Sequence, residues 1–268
     1  MSRKAYPSAL TDTQWLILEP LVPKPGQMGR PRTVDIREII NAIFYILRSG
    51  GAWRMLPHDL PPWQTVYGYF SRWRKAGLWE EMNDALRETV REQTGRETET
   101  SAAIIDSQSV KTTETKGERG FDGAKLVTGR KRHLLVDVMG LILVVLVHKA
   151  SMQERAGAKL LLQLTKTKGF NRLQLIWADG GYHGQPMIVW VFAMVGWVFE
   201  VVKRSDDVKG FKLLPRRWVV ERTFAWLGRY RRLSKDYEEL PQTSEAMIYA
   251  AMVNLMLTRL ARNPAVYL

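Results

Sequence analysis

Three carboxylates in this chain stand where they could hold divalent cations against a phosphodiester: Asp106, Asp179 and Glu221. Residues 102–106 (AAIID) are an apolar run ending in an acid, and residues 173–179 (LQLIWAD) repeat the device. Continuous apolar runs suit strands buried on both faces. An Asp at the carboxyl end of such a strand stands where open α/β sheets bind ligands. Gly180-Gly181, directly after Asp179, leaves the backbone free to turn and lets a phosphate approach. Glu221 lies in a basic strip: between positions 203 and 235 there are eleven Lys and Arg against Asp206, Asp207 and Glu221 itself. Two cations about 3.5–4 Å apart can clamp the attacking and leaving oxygens of an in-line displacement. Mg²⁺ takes a few carboxylates plus substrate phosphates for such a task.

Each acid also has a plainer reading. An Asp at a strand end is often a turn or cap residue, and a lone Glu on a helix is normally solvated. Asp137, in Val136-Asp137-Val138-Met139-Gly140, reads as a hairpin-turn residue. Asp122 reads as a structural or solvated loop residue. His58, His133, His148 and His183 show no ligand spacing, which argues against zinc, and the absence of cysteine excludes thiolate sites.

The elements that must position these acids fall into two stretches. Residues 1–95 read as helical. Thr11 caps a first helix that Pro20 and Pro23 end, and a basic loop carrying Arg30 and Arg32 follows. A second helix opens at Asp35 and is stopped by Gly50-Gly51. Pro61-Pro62 start a third, in which Arg72, Arg74 and Lys75 lie among aromatics. Such a helix could be presented to DNA, or its Trp and Tyr could simply be core. The polar stretch 95–100 marks a boundary. Beyond it, runs 102–106, 132–138, 141–148, 173–178 and 196–202 read as strands. Runs 152–165, 185–195, 215–229 and 244–261 read as helices, an α/β layered domain spanning 96–268.

The chain's 268 residues carry 40 Lys+Arg against 27 Asp+Glu, a net charge of +13 that implies a polyanionic partner. The longest nearly uninterrupted apolar stretch, 187–199, is shorter than the roughly 20 residues that span a bilayer. Nucleic acid is therefore the expected partner.

Four ordered motifs, IIDSQSVKT, GRKRHLLVDVMGLIL, WADGGYHG and RRWVVERTFAWLGRYRRLSKDYE, resemble the bacterial transposases of the insertion-sequence-five family. GRPRTVDIREIINAIFYILRSGGAWRMLP and PPWQTVYGYFSRWRKAG resemble the small helical domain that precedes catalysis in that group. The resemblance implies an RNase H-like catalytic domain with a mixed central sheet, preceded by an all-helical DNA end-binding domain at 1–95. It makes Asp106, Asp179 and Glu221, spaced 73 and 42 positions apart, the catalytic and metal-binding acids. The superfamily pattern of Tyr, Arg, Glu and Lys is met at Arg217 and Glu221. Leu214 and Gly228 stand in place of its Tyr and Lys.

The implied cofactor is Mg²⁺, which Mn²⁺ can replace. The implied partners are duplex DNA at element ends and target, with a homodimer on DNA and a cytoplasmic, nucleoid-associated location. Backbone contacts are expected from Arg30, Arg32, Arg72, Arg74, Lys75, Lys125, Arg130, Lys131, Arg217, Arg222 and Arg229. A nuclease without strand transfer and a non-catalytic DNA-binding regulator are the competing readings.

Overall fold

The computed structural model describes residues 4–24, 33–114, 117–202 and 218–262. The expected contacts Arg30, Arg32 and Arg217 lie outside them.

The described residues of the amino-terminal third form four α-helices. In α1 (Asp12–Leu18), Thr11 and Gln14 form a reciprocal capping box. α2 (Ile36–Ser49) opens on the Asp35 side chain, which accepts the Arg37 amide, and ends at Gly50 with φ +76°. That conformation favours glycine, and a Cβ at Gly50 would stand 2.9 Å from the Cβ of Arg231. α3 (Trp63–Lys75) and α4 (Leu78–Gln93) complete the set. Phe70 and Trp73 of α3 are buried against Trp79 of α4, and Phe70 also meets Trp53. The core reading therefore holds for these two aromatics, while Arg72 and Lys75 stay exposed.

Among the described residues six strands form one sheet: β1 (Ala102–Lys111), β2 (Gly120–Asp122), β3 (Val127–Asp137), β4 (Ile142–Lys149), β5 (Leu175–Ala178) and β6 (Val198–Val201). β1, β3 and β4 form an antiparallel meander; β5 and β6 lie parallel to β1 on its other side. β2 pairs with the first residues of β3. The parallel crossovers run through α5 (Glu154–Lys168) and α6 (Gln185–Val195). Two further helices, α7 (Trp218–Leu227) and α8 (Pro241–Leu260), close the chain's described part. A meander continued by two parallel strands, with helices on both faces, is the RNase H-like arrangement.

Alternation along β1 sorts the core into two layers. Ala103 and Ile105 face α5 and α6, whereas Ala102 and Ile104 belong to a second cluster. That second cluster runs without a break through α7, α8 and all four amino-terminal helices. α8 is apolar on every side, as a helix wrapped by protein must be, and packs on α1, α2, α3, α4, α7 and β4. A polar turn does separate α4 from β1 near residue 95, but the two parts share one core.

The open edge of β4 is covered rather than exposed. Tyr249 and Glu245 of α8 accept the Val145 and Val147 amides at 3.3 and 2.8 Å. Asn83 and Lys168 donate to the carbonyls of Ile142 and Leu143. Asp137 takes the hairpin role expected of it, accepting the amides of Met139 and Leu141. It is also fully buried and paired with Arg91 of α4 at 2.6 Å. No helix among the described residues is long and apolar enough to cross a membrane.

Candidate active site

Asp106 does not end its strand. β1 stays paired to β3 for five more residues, Ser107 to Lys111 against His133 to Gly129. What ends near Asp106 is the parallel pairing: the last described β1–β5 partners are Ile104 and Trp177. Two residues further along stand Asp106, still within β1, and Asp179, one residue past the end of β5. The register therefore sets the two acids side by side, on the sheet face that Ile104 and Trp177 share.

Their local bonds differ. Asp106 accepts the Ser107 amide at 2.7 Å, while Asp179 caps a single 3₁₀ turn by accepting the Gly181 amide at 2.9 Å. Burial pushes the Asp106 carboxyl up to about 7, against the pull of the Ser107 amide; the charge of Asp179 pushes the same way.

Glu154, which the sequence reading did not single out, borders the pair. It opens α5, where an acid ordinarily serves only the helix dipole. Its carboxylate accepts Ser107 Oγ at 3.2 Å and Lys125 Nζ at 3.0 Å. A Cβ on Gly181 would stand 2.6 Å from Glu154 Oε2 and 3.1 Å from Asp179 Oδ1, so a side chain here would have to displace these carboxylates.

Lys125 is presented by a caged turn. Asp122 accepts the amides of Ala124 and Lys125 and bonds Ser109 and Lys131. Burial works against that carboxylate's charge, yet the Ser109 and Lys131 bonds hold it down to about 2. Lys125 then reaches the Ser107 carbonyl at 3.1 Å, beside Asp106. Beneath lies a buried aromatic layer. His133 and His148 share a 2.9 Å bond and the Tyr182 ring stands edge-on to His133.

Glu221 lies on α7, which packs on β1 and β3 through Val220, Phe224 and Leu227. The helix thus covers the face on which Asp106 and Asp179 stand, but the Glu221 side chain is exposed. The charges acting most on Asp106 are those of Asp179, Lys125 and Glu154, and Glu221 is not among them. Among the described residues, no three His, Asp or Glu stand close enough to hold one ion.

Two expected DNA contacts are corrected. Arg130 and Lys131 are 1% and 3% exposed. Arg130 donates to the carbonyls of Glu118, Glu238 and Glu239 and pairs with Asp236. Lys131 pairs with Asp122 and donates to the Met152 carbonyl. Their charge is spent inside the protein, because burying a cation requires partners. Arg222 is half-buried, donates to the Met139 carbonyl and lies over the rings of Trp218 and Trp226. Arg72, Lys75 and Arg229 are exposed and Arg74 half-buried.

Residues 10–83 match the profile of transposases of the IS4/5 family, and residues 97–256 match the transposase DDE domain. A 16.2 kDa protein of insertion element IS402 from Burkholderia cepacia is 27% identical over 108 residues, 38% of this chain and 72% of that protein. Protein y4sN of Sinorhizobium fredii is 32% identical over 120 residues, 44% of this chain and 88% of that protein. Among solved structures, the Drosophila P element transposase strand transfer complex aligns over 72% of this chain and 45% of that one, at 14% identity and a TM-score of 0.32.

Proposed function

The chain belongs to the DDE-domain transposases of the IS4/5 type, and on that footing we propose that it cuts DNA at the ends of an insertion sequence and joins the freed 3′-OH groups to target DNA. The observation that carries this reading is the register that sets Asp106 beside Asp179 where parallel pairing stops.

Two adjacent carboxylates, one of them largely buried, are the hard oxygen donors that Mg²⁺ or Mn²⁺ accepts, so the residues present fit the family's divalent ions. Asp106 and Asp179 would hold them; Glu221, exposed on the α7 helix that covers the same face, is the third acid that the family resemblance implies. Such ions, when bound, lower the pKa of a nucleophilic water or hydroxyl and neutralise the leaving oxygen.

The protein's own groups supply the rest. Lys125, fixed by Glu154 and the Ser107 carbonyl, places a positive charge at the rim where a scissile phosphate enters. Gly181 lets that phosphate's surroundings close on the acids without a side chain in the way. Water first adds at phosphorus and the 3′-oxygen leaves as 3′-OH. That hydroxyl then attacks a target phosphodiester, whose own 3′-oxygen leaves and takes up the proton; this second step breaks one phosphodiester bond as it forms another, so it consumes no cofactor energy. The helices in 1–95 grip the terminal repeats, and two copies of the chain bring two ends together.

The test is a cleavage and strand-transfer assay on duplexes carrying the element's ends, with Mg²⁺ or Mn²⁺. Asp106→Ala, Asp179→Ala and Glu221→Ala should each lower turnover by about 10³-fold, the few kcal/mol that such electrostatic stabilisation supplies. End binding should stay within about twofold, since metal-free contacts to the backbone dominate affinity. An Asp106→Ala protein that cleaves normally would remove the carboxylate pair from the chemistry.

A further inference from the structure

Three segments far apart in the chain converge on a small basic pocket away from the carboxylates. They are the end of α2 with Arg48, the end of α7 and the turn after it with Trp226, Arg229 and Tyr230, and the end of α8 with Arg259 and Arg262. The pocket has a volume of about 220 Å³, and among the described residues no carboxylate lines it. Among the described residues, none of its four arginines forms an ion pair, whereas eleven other Arg or Lys ion pairs do form. Among the described residues the charge is therefore concentrated without a direct ion-pair partner, although the charge of Asp137 acts on Arg259.

Two of the four guanidinium groups, those of Arg48 and Arg259, are held in place by stacking. Arg48 lies 4.3 Å over the Tyr230 ring and donates to Asn254 Oδ1. The Tyr230 hydroxyl donates to that same buried oxygen at 3.0 Å. Arg259 lies 4.3 Å over Trp226, and Arg222 lies over the same indole at 4.6 Å. Stacking uses the flat face of a guanidinium and leaves its N–H edge free, the edge that matches phosphate oxygens. Holding two like charges on one ring is costly; burial and the neighbouring Arg222 charge both loosen the proton of Arg259, against the pull of the Asp137 charge. A bound anion would relieve that repulsion. The volume is below the roughly 300–1,000 Å³ of small-molecule pockets and suits a single phosphate group.

We propose that this arginine pocket binds a backbone phosphate of the transposon-end duplex, leading the DNA from α7 toward the amino-terminal helices. This rests on the transposase reading, and it locates a contact that the carboxylate site does not require.

The test is fluorescence anisotropy with a duplex carrying the element's end, in EDTA so that no chemistry occurs, over a series of KCl concentrations. Arg229→Gln with Arg262→Gln is the variant, since both side chains are exposed and their loss leaves the core intact. Lys159→Gln with Lys166→Gln, on α5 across the sheet, removes the same charge as a control.

The pocket variant should lose about tenfold in affinity at 0.1 M salt. Its log–log salt slope should be shallower by about 0.9, the value of one phosphate contact. The control should stay within about twofold with an unchanged slope. Equal losses in both variants would mean that net charge alone is read, and unchanged binding in the pocket variant would exclude the site; either overturns this proposal and leaves the transposase reading standing. A parent protein that fails to bind the duplex at all would overturn both.

Discussion

Glu245 offers a quantitative test of how α8 holds the sheet. Its side chain is largely buried against β4 and accepts the Val147 amide at 2.8 Å, with the charge of Glu80 nearby. Burial pushes this carboxyl up from 4.5 to about 7, the Glu80 charge adds to the push, and the Val147 amide opposes it. Below pH 4.5 the group is protonated in both the folded and the unfolded chain, so its contribution is fully present. As pH rises through 4.5 to 7, the unfolded chain ionises freely while the folded one resists, and stability is lost. A difference of about 2.5 pH units at 1.36 kcal/mol each is on the order of 3 kcal/mol lost by pH 8.

Glu245→Gln removes the titration but keeps a carbonyl oxygen for the Val147 amide. The variant should therefore be more stable than the parent by about 3 kcal/mol at pH 8 and by almost nothing near pH 4.5. Urea unfolding followed by the fluorescence of the chain's ten tryptophans at pH 8, 6.5 and 5 measures this. With a slope of about 3 kcal/mol per molar urea, the midpoint should move up by about 1 M at pH 8. A gain of the same size at every pH, or a loss at pH 8, would refute the linkage argument.

Two further outcomes follow from buried contacts. Asp137→Asn leaves Arg91 charged and uncompensated between α4 and the β3–β4 hairpin. It should cost about 3–5 kcal/mol, read as a lowered urea midpoint at neutral pH. Gly181→Ala drives a methyl group against the carboxylates of Glu154 and Asp179. Turnover should fall by about 10²-fold through misplaced reacting groups, with the unfolding midpoint nearly unmoved and DNA affinity in EDTA retained.

Much of this architecture is legible in local pattern. The helix caps at Thr11 and Asp35, the stop at Gly50 and the bounds of α6 all follow from residue types that satisfy backbone groups at helix ends. The pairing of Asp106 with Asp179 is half legible: two apolar runs ending in acids are visible, but their register is a fact of long-range pairing. The same pairing, with β3, carries β1 past Asp106. Arg130 and Lys131 look like surface cations because their partners, Asp236 and the carbonyls of Glu238 and Glu239 for one and Asp122 for the other, come from other segments. Glu154 is hidden for the opposite reason, since an acid in the first turn of a helix is unremarkable until Ser107 and Lys125 arrive beside it. No local pattern brings Arg48, Arg229 and Arg259 together.

The shared core around α8 also bears on genetics. A copy of the gene interrupted by a stop codon before residue 241 would encode helices α1 to α4 without the helix they all pack on. Their apolar faces would be left in water, and a fragment in that state is cleared by proteolysis rather than kept as a DNA-binding remnant. Decayed copies of such an element should therefore fall silent instead of repressing their intact siblings.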